Sequence, residues 1–203
     1  MTHTLVADGV SDVVLLPVLT WSLERQGVQS IVEQWADCRR VLRPKTLEAR
    51  LRTALDLYPC DLLFVHRDAE AQDPDLRRQE IAGALDWTTI NHVPVVPVRM
   101  TVTWLLADES PIRSAAGNPN GRINLNLPNP RTLEQVADPK EALFGALKVA
   151  SRPGAHRRSR LGVFERIRRI PSYIDDYSAL DALAAFRRLQ DDVRLAIEHL
   201  ARN

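Results

Sequence analysis

The sequence has little cysteine, little lysine and no long uncharged apolar run, and each shortage narrows the class of protein. Its two cysteines, Cys38 and Cys60, stand apart, without CxxC spacing or neighbouring histidines, which disfavours a structural zinc site or a disulfide framework. No stretch approaches the roughly 18 apolar residues of a membrane span. The N-terminal residues MTHTLVADG lack the basic and apolar order of a secretion signal. We therefore predict a cytoplasmic protein with no membrane partner.

Positive charge comes almost wholly from arginine, because lysine occurs only at Lys45, Lys140 and Lys148. A net charge of +1 provides no overall attraction to nucleic acid, so any contact with a polyanion is expected to be local. The stretch HRRSRLGVFERIRR, residues 156–169, has six arginines against one glutamate. It is either a nucleic-acid contact, an ordinary helix surface or a docking face for a partner. For the nucleic-acid reading the candidate residues are Arg157, Arg158 and Arg160.

Apolar runs of strand length alternate with segments of helical periodicity along the chain. The runs lie at residues 4–7, 28–32, 61–66 and 93–98. This alternation predicts an α/β fold with a sheet of about four mainly parallel strands flanked by helices. The predicted helices run from Ser11 to Gly27, from Thr46 to Tyr58, and over residues 74–90, 103–117 and 138–151.

The chain is predicted to divide into an α/β domain at residues 1–150 and a basic linker with a helical tail at residues 151–203. Apolar residues recur in the tail at three- and four-residue steps, at Leu183, Phe186, Leu189, Val193, Ala196 and Leu200. One face of the tail helix should therefore pack against the main body. The same helix is an easy dimerisation element, so a homo-oligomer is one expectation.

Acidic side chains follow the first and third predicted strands. Asp8 ends the first strand, Asp12 lies one turn further on, and Asp68 and Glu70 end the third. The carboxyl ends of parallel strands meet at one sheet edge, where ligands bind. On extended backbone Asp68 and Glu70 would project to the same side with Cα atoms roughly 6 to 7 Å apart, and carboxylate oxygens suit Mg²⁺. The pattern indicates a metal site, against the alternative that these acids are simply solvated.

Three further residues in this part of the sequence need an interpretation. Arg67 either pairs with an acid or contacts phosphate. We interpret His66 as a strand residue packed against a neighbour, in preference to a catalytic role, and Glu80 as a solvated surface residue of the third helix.

Five short motifs, taken in order, resemble a Toprim domain, the metal-binding α/β module of topoisomerases, bacterial primases and nucleases of the overcoming-lysogenization-defect type. They are VADGVSD, LFVHRDAE, VPVVPV, TWLLAD and DPKEAL, within residues 4–147. More closely, the chain resembles the small stand-alone Toprim-like proteins of bacteria. That family has no assigned function, is often encoded beside an ATPase and is suspected of a part in phage defence.

The resemblance implies a Toprim-like or Rossmann-like sheet that cleaves phosphodiester bonds in DNA or RNA, with Mg²⁺, or alternatively Mn²⁺, as cofactor and an ATPase as partner. Asp68 and Glu70 would hold magnesium, and Asp12 a second ion. Asp8 would move protons or complete the metal shell. Lys140 would neutralise the phosphate in the transition state, unless it is only an exposed residue in the first turn of a helix.

Two other hypotheses stay open. Asp8 stands where Toprim domains usually have glutamate, and Thr103 stands where the smaller family is expected to have it. These positions favour a catalytically degenerate module that binds a partner or nucleic acid without cutting. The third hypothesis is a phospho-acceptor of receiver type, but VADGVSD lacks adjacent acids and Arg99 stands where a lysine is expected.

Overall fold

The four strands of the protein form one parallel sheet. The computed structural model describes residues 1–38, 45–70, 72–98, 101–151 and 162–202. Within these ranges the strands are β1 (Thr2–Val6), β2 (Val32–Trp35), β3 (Leu62–His66) and β4 (His92–Val95), in the order β2-β1-β3-β4. The predicted α/β fold with a parallel sheet is confirmed.

The second strand lies later in the chain than the apolar run at 28–32 predicts. Gly27 has a φ of +81° and Ser30 a φ of +55°, so the backbone turns through this segment instead of extending. Glycine adopts that conformation without steric cost. The strand begins only at Val32, where it pairs with Thr2 of β1.

Helices cover both faces of the sheet. They are α1 (Leu16–Arg25), α2 (Leu47–Leu57), α3 (Pro74–Ala84), α4 (Glu109–Ala115), α5 (Pro139–Ala150), α6 (Val163–Arg169) and α7 (Ala184–Leu200). Short 3₁₀ segments lie at Val10–Leu15, Thr101–Leu106, Pro130–Gln135, Ile170–Tyr173 and Ser178–Ala182. The predicted start of α2 is correct, because the Thr46 hydroxyl accepts a hydrogen bond from the Ala49 amide at 3.1 Å.

The first helix does not begin at Ser11 as predicted. Residues Val10–Leu15 form a 3₁₀ segment, and α1 starts at Leu16 with Pro17 in its first turn. Proline has no amide hydrogen to continue an α-helix through this point, whereas the first turn of a helix tolerates it. Asp12 is therefore held in a tight turn directly after β1.

The sheet separates two hydrophobic cores. The larger core contains Leu5 and Phe64, together with Phe186 of α7. The smaller core contains Val6 and Val65 and is covered by α2 and α3. Because residues of α7 share a core with β1 and β3, the tail is packed on the α/β body; the domain boundary at residue 150 stays a prediction.

Candidate functional site

A buried histidine lies between two aspartates at the carboxyl end of β3. His66 is 2% exposed. Its Nδ1 lies 3.5 Å from Asp12 Oδ2. Its Nε2 lies 3.2 Å from Asp68 Oδ1 and 3.0 Å from Thr101 Oγ1. The imidazole ring therefore occupies the space between two of the residues predicted to bind metal.

The surroundings of His66 favour its charged form. Burial of the ring opposes protonation, but the contacts with the carboxylates of Asp12 and Asp68 outweigh it and raise the pKa of His66 to about 9. A protonated ring donates from both nitrogens, and here each nitrogen faces a carboxylate oxygen. At neutral pH the cluster is thus a cation held between two anions.

Asp12 is held by the turn that follows β1. The Gly9 amide donates to Asp12 Oδ2 at 2.9 Å, and the Ser11 hydroxyl donates to Oδ1 at 3.3 Å. Burial alone would raise the pKa of Asp12, but contact with His66 and these two hydrogen bonds lower it. A Cβ at Gly9 would lie 3.2 Å from Ser11 Oγ and 3.3 Å from Asp12 Oδ2, so glycine leaves room for the carboxylate to fold back.

Strand alternation places Asp8 and Asp68 on opposite faces of the sheet. Val6 pairs with Val65 in the parallel register, and both side chains lie in the smaller core. Successive side chains of a strand point to opposite faces. By this alternation the side chain of Asp8 points to the same side as that of Val6. The side chain of Asp68 points to the side of Phe64 and His66. The two acids therefore leave the sheet edge on different sides and contact different partners, Arg67 for Asp8 and His66 for Asp68.

Asp8 lies among arginines on its own face of the sheet. Arg67 Nε lies 3.2 Å from Asp8 Oδ2, and Arg50 of α2 donates to the other carboxylate oxygen. Arg67 also contacts Glu80 of α3 at 3.3 Å. Of the two interpretations of Arg67, pairing with an acid is the one observed, and Glu80 belongs to the same ion-pair network.

Glu70 turns away from Asp68. Beyond β3, backbone hydrogen bonding to the neighbouring strand and its continuation extends to Ala69, whose amide donates to the Pro97 carbonyl at 3.0 Å. Glu70 has a φ of +53°, which ends the alternation on which the predicted shared side depends. Its side chain is 70% exposed and lies 3.6 Å from Arg77 NH2.

The other candidates lie elsewhere. Lys140 is in the first turn of α5, with Nζ 5.2 Å from the Phe164 ring centroid, which fits its interpretation as an exposed helix residue. Arg157, Arg158 and Arg160 lie outside the described residues.

The four predicted acids, as arranged here, do not fit a magnesium site. Asp12 and Asp68 enclose a protonated ring, and Asp8 and Glu70 are each paired with arginine. Among the described residues, no group of three or more His, Cys, Asp or Glu side chains is arranged to hold a metal ion. Hard cations need several oxygen ligands that converge on one point, and these four acids point to different cations on two faces of the sheet.

The sequence contains a signal for the contact between His66 and Asp68. Residues two apart on a strand share a face, so the rule that predicts a shared side for Asp68 and Glu70 also predicts that His66 and Asp68 are neighbours. No sequence spacing predicts the contact of Arg50 with Asp8. Arg50 lies on α2, and the packing of this helix against the sheet brings its side chain to Asp8.

Comparison with protein families, with curated proteins and with solved structures found no match to this chain. The resemblance to Toprim-like proteins therefore rests on the motifs alone. In the part of the chain that the structure describes, no helix is long and apolar enough to cross a membrane.

Proposed function

We propose that the protein is a catalytically degenerate Toprim-like module that binds a partner or nucleic acid without cutting it. The parallel sheet and the order of the motifs support a relation to the metal-binding α/β modules. The ionic arrangement at the carboxyl end of the strands supports a binding role in place of catalysis.

One observation carries this proposal: the His66 ring lies between Asp12 and Asp68. A protonated imidazole lies within ion-pair distance of both carboxylates and offers them one positive charge. A divalent ion brought to the same two oxygens would meet that charge at close range, and like charges repel strongly where burial reduces screening. His66 thus supplies internally the positive charge that a metal would otherwise contribute.

Asp8 and Thr103 point to the same conclusion. Asp8 is one methylene shorter than glutamate and is engaged by Arg67 and Arg50, so it is poorly placed to move a proton on the face of Asp68. Thr103 is 2% exposed, and a neutral hydroxyl is a weaker metal ligand than a carboxylate.

Cleavage assays with matched variants test the proposal. Supercoiled plasmid, single-stranded DNA and RNA are incubated with the protein in Mg²⁺, Mn²⁺ or chelator, beside Asp68→Ala. We expect neither protein to cut any of the three substrates in any of the three conditions. Metal-dependent cutting by the wild type that Asp68→Ala abolishes would refute the proposal and establish the Mg²⁺-dependent nuclease that the resemblance implies.

Both the nuclease activity and the ATPase partner stay predictions. A repeat of the cleavage assay with a candidate ATPase partner and with ATP tests them together. Cutting that appears only in that mixture and is lost in Asp68→Ala would also contradict a purely binding role.

A further inference from the structure

Two exposed aromatic and basic helix surfaces meet away from the His66 cluster. On α5, Lys140, Phe144 and Lys148 are spaced four residues apart, which places them along one side of the helix. On α6, Phe164 and Arg168 have the same spacing. The Phe144 and Phe164 rings pack edge to face, with centroids 5.6 Å apart. We call these five residues the aromatic-basic patch.

Phe164 is the unusual member of the patch, because 62% of it is exposed. A phenylalanine ring normally buries a large apolar area, and here only part of it is covered, by Phe144 and by Lys140, whose Nζ lies 5.2 Å from the Phe164 centroid. The remaining surface of the ring is open to solvent. Surfaces that bind single-stranded nucleic acid combine aromatic rings with basic residues in this way.

The cations of the patch are available to an anion. Among the described residues, the side chains of Lys148 and Arg168 form no ion pair, in contrast to Arg50, Arg67 and Arg77 at the sheet edge. The described residues of α5 and α6 have more basic than acidic side chains: Lys140, Lys148, Arg166, Arg168 and Arg169 against Glu141 and Glu165.

We propose that the aromatic-basic patch binds single-stranded nucleic acid, with a base stacked on Phe164 and backbone phosphates near Lys148 and Arg168. A ring that accepts a stacked base beside unpaired cations is the combination used by single-strand binding surfaces, where stacking tolerates any base. A duplex offers phosphates but keeps its bases stacked on each other, so it cannot use Phe164. This inference specifies the ligand of the binding module proposed above and rests on that proposal.

The position of the patch suits a binding module. Helix α6 contacts the 3₁₀ segment Val10–Leu15, which carries Asp12, and α5 contacts the segment Thr101–Leu106, which carries Thr101. The two helices therefore join the patch to the elements that hold His66. The basic residues 156–160 lie between α5 and α6 in the chain, though outside the described residues.

Fluorescence anisotropy with labelled 15-nucleotide oligo-dT, oligo-rU and a duplex of the same length tests the inference. We expect the single strands to bind more tightly than the duplex at equal salt. Phe164→Ala and Phe164→Leu should both weaken single-strand binding by about 5- to 150-fold, because loss of one stacked base costs about 1 to 3 kcal/mol. Leu76→Ala, which changes a 55% exposed side chain on α3, is the matched control and should bind as the wild type does.

The salt dependence tests the cations separately. The slope of log K against log salt is negative, and Arg168→Gln or Lys148→Gln should reduce its magnitude by about 0.7, the value for one lost phosphate contact on a single strand. Arg188→Gln on α7, whose side chain pairs with Asp75, removes the same charge elsewhere and should leave the slope unchanged.

Three outcomes would overturn the inference. They are no oligonucleotide binding by the wild type, binding that Phe164→Ala and Phe164→Leu leave intact, and a dimer in sedimentation that Phe164→Ala dissociates, which would make the patch an interface between copies. None of these outcomes depends on cleavage. The proposal that the protein does not cut can therefore survive even if the aromatic-basic patch does not bind single strands. Conversely, patch-dependent binding together with Asp68-dependent cutting would support the patch and refute the non-cutting role.

Discussion

His66 sets the chemistry of the candidate site through its charge. A histidine placed between two carboxylates, one of them nearly buried, is stabilised as a cation. Removal of the ring would leave the two carboxylates without a compensating charge, which is costly in a buried position. The positive charge of the ring reduces the repulsion between Asp12 and Asp68, so the two acids can both lie beside it without a metal ion. It also makes the site unusually sensitive to a single substitution.

Replacement of His66 by an acid should create a metal dependence. In His66→Asp three carboxylates would share the space now held by the ring, so we expect a destabilised protein whose melting temperature rises by several degrees with millimolar Mg²⁺ or Mn²⁺, because binding to the folded state stabilises it. Thermal unfolding with and without metal measures this. His66→Asn, which adds no charge, is the control, and an equal shift in His66→Asn or in the wild type would contradict the account.

The stability that His66 contributes should disappear in alkaline solution. Its pKa is raised from 6.5 to about 9, so the contribution is fully present below about pH 6.5 and is lost as the pH rises through about 9. Urea unfolding of the wild type and His66→Gln between pH 6 and pH 10 should show a free-energy difference that is largest at pH 6 and shrinks towards pH 10. A difference independent of pH would argue against a charged ring.

At the scale of single elements, periodicity and composition predict much of the fold. The third strand, the cap of α2 at Thr46 and the start of α3 at Pro74 follow from local residue preferences. The second strand and the first helix begin later than predicted, because the backbone turns with positive φ at Gly27 and Ser30 and a 3₁₀ segment precedes Pro17.

The arrangement of the acids could not be predicted from the elements alone. Asp8 and Asp68 do end neighbouring strands, but the register that pairs Val6 with Val65 decides which face each acid takes. Register depends on contacts between distant residues, and a single sequence contains no direct record of them. The positive φ of Glu70 is a second example, because glutamate rarely adopts it.

Loss of the cap of α2 should weaken the whole protein modestly. Thr46→Ala removes the hydrogen bond to the Ala49 amide, and we expect a loss of about 1 kcal/mol in the free energy of unfolding. Urea denaturation measures the change. Thr46→Ser retains the hydroxyl and should lose little; an equally large loss in both variants would show that the cap is not the cause.

At the scale of the whole molecule, the tail is part of the main core. Phe186 of α7 is fully buried, and its ring centroid lies 5.5 Å from that of Trp104 and 6.3 Å from that of Trp21. A salt bridge between Arg78 of α3 and Asp192 of α7, at 2.5 Å, adds a second connection. The tail should therefore unfold together with the sheet.

Truncation of Phe186 should lower the stability of the entire protein. Phe186→Ala leaves a cavity and costs about 3 to 5 kcal/mol, and Phe186→Leu is a gentler variant if the first does not fold. We expect tryptophan fluorescence and circular dichroism to shift to the same lower midpoint. Leu195→Ala, on the exposed side of α7, should change stability by less than about 0.5 kcal/mol. A fluorescence transition that shifts alone would show that the tail unfolds independently.

The most direct test of the central claim, that His66 takes the place of a metal, is isothermal titration of Mg²⁺ and Mn²⁺ into the wild type, His66→Asp and Asp68→Ala at pH 7. The account predicts no saturable binding to the wild type or to Asp68→Ala, and saturable binding to His66→Asp. Stoichiometric binding of either ion to the wild type, lost in Asp68→Ala, would contradict it.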